Sequence, residues 1–146
     1  MIIKFTIPGK PIGKGRPRFT RRGNYVTTYT PKATSDYEEY VRLMYRQAHP
    51  GIMLSGAIKA TINAYFPIPK SVSKKARELM ETETVHHVKK PDGDNIAKTV
   101  FDSVNGIAYR DDSQICSLHI DKKYSGNPRV EVILEELGDD ERAKCG

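Results

Sequence analysis

The sequence predicts a small α+β domain, a single mixed β-sheet with helices packed mainly on one face. Three observations carry that expectation. At 146 residues the chain can bury one core and not two. Hydrophobic residues make up 38% and charged residues 29%, which is the range of globular chains and far from that of disordered ones. Segments that alternate every second residue follow segments with helical spacing along the whole length, with no internal repeat or low-complexity stretch.

Taken in order, IIKFTI near the start reads as an opening strand. The stretch 10-KPIGKGRPRFTRR-22 is broken by Pro and Gly and reads as a loop or ribbon, not a helix, with YVTTYT as a short strand after it. From Thr30 or Pro31 to about His49, the residues Tyr37, Tyr40, Val41, Met44 and Tyr45 recur at helical spacing, and Pro50 and Gly51 end the helix. GAIKATINAYFPIP alternates Ile58, Ala60, Ile62 and Ala64 against Lys59, Thr61 and Asn63, a half-buried strand closed by Pro67 and Pro69. SVSKKARELMET opens on serines and predicts a short exposed helix, and 82–93 has no period and reads as loop. A helix over about 94–106 buries Ile96, Ala97, Val100, Phe101, Val104 and Ile107 and stops near Asn105-Gly106. QICSLHIDKKYS and PRVEVILEEL read as two strands joined through Ser-Gly-Asn-Pro, a predicted closing hairpin.

The net charge of +6 is unevenly spread. Residues 1–59 carry eleven Lys and Arg against three acids, and 10–22 alone has six cations and no acid. An anionic polymer is the natural partner of such a segment. No run approaches the roughly 20 apolar residues that cross a bilayer, and Lys4 interrupts the start too early for a secretion signal. The expectation is a soluble, cytoplasmic protein with no membrane partner. Cys116 and Cys145 have no metal-ligand spacing and are expected as free thiols.

Against this basic background, 89-KKPDGDNIAKTVFDSVNGIAYRDDSQI-115 gathers carboxylates. Asp92 and Asp94 stand at the mouth of the predicted helix, and Asp111 and Asp112 follow it. Acids at a helix start cap free amides and complement the dipole, and a pair of aspartates after a helix suits a turn. The combination points further. Asp94, Lys98 and Asp102 lie at i, i+4 and i+8 on the polar face, so Lys98 sits one turn above Asp94, where an ion pair would also explain it. A calcium loop of the EF-hand type fails, because the twelfth position counted from Asp92 is Ser103. A hard divalent cation such as Mg²⁺ takes carboxylate oxygens together with substrate phosphate, and two such ions could activate water and stabilise the leaving oxygen in phosphodiester hydrolysis. The cations would then bring a polyanion in, and the acids would hold the ions that cut it.

The same stretch resembles the signature of RusA-type Holliday-junction resolvases. It has a basic lead-in, D-x-D-N, Lys four residues after the second Asp, an amphipathic helix with FD, and an aromatic-x-D-D-x-Q turn. The resemblance extends to GKGRPRFT, YTPKAT and the last two strands, and Gly93 stands where the family often has an aliphatic residue. It implies a RusA-like endonuclease domain over 1–137, with 138–146 as a frayed tail. It further implies a homodimer that nicks four-way DNA junctions in pairs in recombination and repair, with Mg²⁺, for which Mn²⁺ could substitute. Carried onto this sequence, the metal-binding acids are Asp92, Asp94 and Asp112, the essential lysine is Lys98, and Asp111 is the neighbouring acid. Asn95 is the motif's Asn, expected to order the helix start. The DNA-binding residues expected are Lys14, Arg16, Arg18, Arg21 and Arg22 in the basic segment and Lys89 and Lys90 before the motif.

Other features invite rival readings. GKPIGKG departs from the spacing of a nucleotide-binding P-loop. KGRPRF suits a backbone-contacting loop better than a minor-groove arm. Phe19 and Tyr25 could stack on an unpaired base or pack in the core. His86 and His87 read as loop histidines facing DNA or solvent, and Tyr37, Tyr40 and Tyr45 as core or dimer interface. The rival functions are a nuclease of broader taste for flaps or forks, and a non-catalytic DNA-binding module whose acids only cap a helix.

Overall fold

In the computed structural model, residues 1–15, 18–29 and 31–138 are described. The elements run β1 (Ile2–Pro8), β2 (Arg18–Arg22), β3 (Tyr25–Tyr29), α1 (Lys32–Ala48), β4 (Ile58–Pro67), α2 (Lys74–Glu81), α3 (Gly93–Val104), a single 3-10 turn at Asp112–Gln114, β5 (Ile115–Ser125) and β6 (Arg129–Glu136). Four strands form one sheet in the order β1-β6-β4-β5, in which β4 and β5 are parallel and the other pairs antiparallel. β2 and β3 make a separate two-stranded ribbon, turned at Gly23, whose φ of 58° suits a residue without Cβ. The sheet is mixed and the domain single, as the sequence predicts.

Alternation decides which face of the sheet is covered. Ile3, Phe5 and Ile7 of β1 pair across to Leu134, Val132 and Val130 of β6, and these in turn to Ala60, Ile62 and Ala64 of β4. All nine are buried on one face. Onto it α1 lays Tyr37, Val41 and Tyr45, and α3 lays Ile96, Val100, Phe101 and Val104. Each such side chain contributes about 1.5–3 kcal/mol by leaving water. Truncating Ile62, fully buried in the central strand, to Ala would cost about 2–5 kcal/mol through lost contacts and the cavity left behind.

α3 is built to pack closely. Thr99 and Ser103 are buried on it, and each hydroxyl donates back to a carbonyl one turn earlier, Thr99 to Asn95 at 2.9 Å and Ser103 to Thr99 at 2.6 Å. Buried polar groups are thereby satisfied without a bulky partner. The helix ends where Asn105 turns extended and Gly106 takes φ 77°. α2 buries no residue and starts on Ser73, whose side chain accepts from the Ala76 amide, matching the exposed helix expected there.

The predicted closing hairpin does not form. β5 and β6 flank β4 on opposite sides, so the Ser-Gly-Asn-Pro connection passes over the end of β4 and spans two strand spacings, about 9.5 Å. The Ser-Gly-Asn-Pro residues do bend the chain, but partner choice follows the apolar face. β6 buries a clean alternating series and takes a central place, whereas β5 buries only Tyr124 and carries Lys122 and Lys123 at the sheet edge. Cys116 is disulfide-bonded and not a free thiol, and Cys145 lies outside the described residues, as does the tail from 139 on. No helix among the described residues is long and apolar enough to cross a membrane.

Candidate active site

The α3 N-terminus opens into a pocket of about 610 Å³, walled by Lys14 and Gly15 on one side and by Lys90, Pro91, Asp92, Asp94, Asn95 and Lys98 on the other. Asp92 occupies the Ncap position with extended backbone, and its carbonyl accepts the first helical bond from Ile96 at 3.1 Å. Its carboxylate makes no capping hydrogen bond, so capping does not account for this acid. Asp94 follows in the first turn, and both carboxylates are exposed. Lys98 is exposed one turn on and forms no ion pair among the described residues, with Asp94 or with any other acid. Three charges of the sequence motif thus meet in one pocket, uncommitted to structure.

The wall opposite is the beginning of the basic segment, pinned by both long helices. Beside it, burial pushes the pKa of the Tyr37 phenol on α1 up to about 12. The Lys14 amide donates to Asn95 Oδ1 at 3.2 Å, and Asn95 Nδ2 donates to the Lys14 carbonyl at 3.3 Å. The Gly15 amide donates to Thr34 Oγ1 at 3.0 Å. This close approach explains two glycines. A Cβ on Gly13 would lie 2.6 Å from Asn95 Nδ2 and 2.7 Å from Pro91 Cβ, and one on Gly15 would lie 2.7 Å from Thr34 Oγ1. The phosphate-loop look of GKPIGKG is therefore a packing requirement.

Lys14 was expected on the DNA face, but its ammonium donates to Asp102 Oδ2 at 2.8 Å, with both side chains about three-quarters buried. The hydrogen bond to Asp102 raises the Lys14 pKa despite the opposing effect of burial. Asn95, expected to order the helix start, instead reaches across to the basic segment. Sequence reading missed this clamp because its partners are 81 residues apart.

The second pair of acids follows α3, at the 3-10 turn. Asp111 is the Ncap of the 3-10 turn, where its Oδ2 accepts from the Ser113 amide at 3.2 Å and Gln114 Oε1 accepts from the Asp111 amide at 3.0 Å. Its hydrogen bonds to Ser113 hold the Asp111 carboxyl below its usual range. Gln114 Nε2 also donates to the Gly56 carbonyl at 3.0 Å, tying the turn to the segment before β4. Asp112 is exposed, and its carboxylate makes no hydrogen bond among the described residues. The charges of Asp112, Asp102 and Asp111 act together on the phenol of Tyr109, which burial first of all pushes up. Among the described residues, no three His, Cys, Asp or Glu side chains are gathered to hold a metal ion. The structure brings Asp92, Asp94 and Lys98 together, and it places Asp111 in a separate cleft with Ser55 and Arg110.

The remaining expectations divide. Lys89 and Lys90 are exposed immediately before the mouth. Arg21 lies on the exposed ribbon and donates from Nε to the Gly23 carbonyl at 3.4 Å. Arg16 lies outside the described residues, and of Arg18 and Arg22 only the backbone, in β2, is described. Phe19 and Tyr25 are 72% and 79% exposed on the ribbon, so neither is core. His86 is exposed, but His87 is buried and stacks on Phe66 with centroids 3.6 Å apart, contrary to the expected solvent-facing loop histidine. Stacking on Phe66 offsets the cost of enclosing the imidazole, and burial lowers the His87 pKa to about 4, with Lys122, Lys89 and Lys10 adding to the shift.

The model of one protein family, Endodeoxyribonuclease RusA, matches residues 8–135. An uncharacterised protein of Bacillus subtilis (strain 168), YqaN, is 39% identical over 137 residues, which cover 92% of this chain and 96% of that one. The matched span includes the mouth of α3, the basic segment clamped against it and the Asp111–Gln114 turn, and the chain belongs to the RusA endodeoxyribonuclease family.

Proposed function

We propose that this protein is a Mg²⁺-dependent, structure-specific endodeoxyribonuclease that resolves four-way DNA junctions by paired nicking. It would act as a homodimer in the cytoplasm, in recombination and repair. The observation that carries the reading is the α3 mouth, where Asp92, Asp94 and Lys98 share one pocket and none is bonded by another side chain among the described residues. Family membership supplies the reaction class.

The donor set suits a hard cation. Two exposed carboxylates at a helix mouth leave room for several waters and a substrate phosphate, which is how Mg²⁺ is commonly held. Asp92 and Asp94 would hold it, with Asp112 as the third carboxylate the family motif assigns and Asp111 assisting through the turn it caps. When bound, the ion supplies Lewis acidity and a lowered pKa for attacking water, and Mn²⁺ could replace it. Lys98, a compact point charge, would meet the negative charge that grows on the phosphate oxygens. Lys89 and Lys90 beside the mouth, with Arg21 and the other cations of the ribbon, would hold flanking phosphates and offset the repulsion between acids and DNA.

The test is nicking of a synthetic four-way junction by the purified protein with Mg²⁺ and with EDTA, beside flap and fork substrates. Paired nicks near the branch with Mg²⁺ alone are expected. Equal cutting of flaps and forks would broaden the substrate to branched DNA in general, and binding without nicking would leave a DNA-binding module.

A further inference from the structure

The polar face of α3 presents Asp94, Lys98 and Asp102 at successive turns, so Lys98 has an acid on either side at the spacing that favours ion pairs. It nonetheless pairs with neither. Asp102 is already engaged by Lys14, whose ammonium arrives from the clamped basic segment and lies 2.8 Å from Asp102 Oδ2. Lys14 can reach it only because Asn95 holds the Lys14 backbone against α3, and because Gly13 and Gly15 allow that approach. The Lys14 side chain then runs along the helix toward its C-terminal end, from its backbone held by Asn95 to the Asp102 carboxylate.

We propose that Lys14 and Asp102 are positioning residues: their ion pair fastens the basic segment to α3 and keeps Asp102 from capturing Lys98, so that the Lys98 ammonium stays available to a phosphate. The inference rests on the role given to Lys98 above. It also makes Lys14 a weaker contact for DNA than a free lysine, since the charge of its ammonium is largely offset by the Asp102 carboxylate. Asp102 without Lys14 would be an unmatched acid one turn from Lys98, and pairing with it would put the lysine in competition with the substrate.

Lys14→Met keeps the apolar stem and removes the charge. In single-turnover nicking with Mg²⁺, this variant is expected to lose about 10-fold or more in rate while junction affinity in Ca²⁺ stays within about 2-fold. Lys14→Met with Asp102→Asn is expected to recover the rate to within about 3-fold, because the competing acid is gone. Lys14→Arg keeps the charge and serves as the conservative rescue. A Lys14→Met loss that appears as weaker binding and a shallower salt dependence, with no recovery in the double variant, would place Lys14 on DNA and overturn the proposal. So would an unchanged rate. Nuclear magnetic resonance of the lysine ammonium groups reads the same arrangement without any nicking. The Lys14 signal should be slowed by its hydrogen bond in the wild type and lost in Asp102→Asn. The Lys98 signal should become slowed in Lys14→Met and fast again in the double variant. A Lys98 signal indifferent to Lys14→Met overturns the guarding role even if the nuclease assignment stands, and slowed Lys98 in a protein that nicks nothing would sustain the guard and retire the nuclease.

Discussion

Two aspartates in this protein stand at the Ncap of a helical turn with extended backbone, and they are used in opposite ways. Asp111 belongs to a closed box: its carboxylate accepts from the Ser113 amide, and Gln114, three residues on, reaches back to the Asp111 amide. Asp92 has the same kind of neighbour three residues on, Asn95, yet its carboxylate caps nothing. The Asn95 amide, one methylene shorter, points outward and clamps the Lys14 backbone. The free amides and positive dipole end of α3 are thus left facing the pocket with two unspent carboxylates, whereas the turn has consumed its acid in holding itself together. Both segments open on Asp and carry a side-chain amide three residues on, Asp-Gly-Asp-Asn and Asp-Asp-Ser-Gln, and only the second closes its box.

The largest effect expected from breaking this contrast is chemical. Asp94→Asn should lower single-turnover nicking with Mg²⁺ by about 1,000-fold, since a neutral amide replaces a ligand to a hard cation, while junction binding in Ca²⁺ is kept or tightened. Wild-type nicking by this variant would return the mouth to the scaffold. Lys98→Ala should lose about 100-fold in rate with melting temperature and affinity barely moved, and Lys98→Arg should recover little. A rate loss that only tracks lost affinity would make Lys98 a DNA contact.

The loop that leads into the mouth is anchored at His87, which stacks on Phe66 and whose amide donates to the Lys122 carbonyl. His87 is 8% exposed and is held neutral by burial, its pKa lowered from 6.5 to about 4. The unfolded chain therefore takes up a proton over that range before the folded one does. The stability contribution is complete above about pH 6.5 and is lost as pH falls toward about 4, at up to about 1.4 kcal/mol per pH unit. His87→Phe should flatten that slope by one proton, measured by urea unfolding near pH 7 and near pH 5. An unchanged slope would mean that His87 already protonates in the folded state. The smallest effects, on melting temperature, sharpen the contrast directly. Asp111→Ala should lower the melting temperature by a few degrees as the box opens, and Asp92→Ala should leave it nearly constant while abolishing nicking. Equal thermal losses in both would show that Asp92 also serves the fold.

Much of this was legible in the sequence. Local periodicity predicts β1, β4 and β6, and all three helices fall within a few residues of where spacing and stop signals put them. The paired acids and Lys98 stand out by their position on the polar face of α3. What could not be read were relations between distant segments. Turn residues at 125–128 announce a turn and say nothing of which strands lie side by side, so the closing hairpin was expected where β4 in fact intervenes. His87 looked like a loop residue because Phe66, which shelters it, is far along the chain.

The sequence by itself determined where helices and strands begin and end, which face of each is apolar, that a cationic segment precedes an acidic motif, and which family the motif resembles. These are properties of neighbours in the chain, carried by periodicity, caps and charge within a few residues. Only the tertiary structure decided which charges are spent and which are free. Lys14 is taken by Asp102, Asp111 by Ser113, and Asn95 by the Lys14 backbone, while Asp92, Asp94 and Lys98 are left unpaired among the described residues. Whether a charged group is available depends on what the fold brings within hydrogen-bond reach, and that distance bears no fixed relation to separation along the chain.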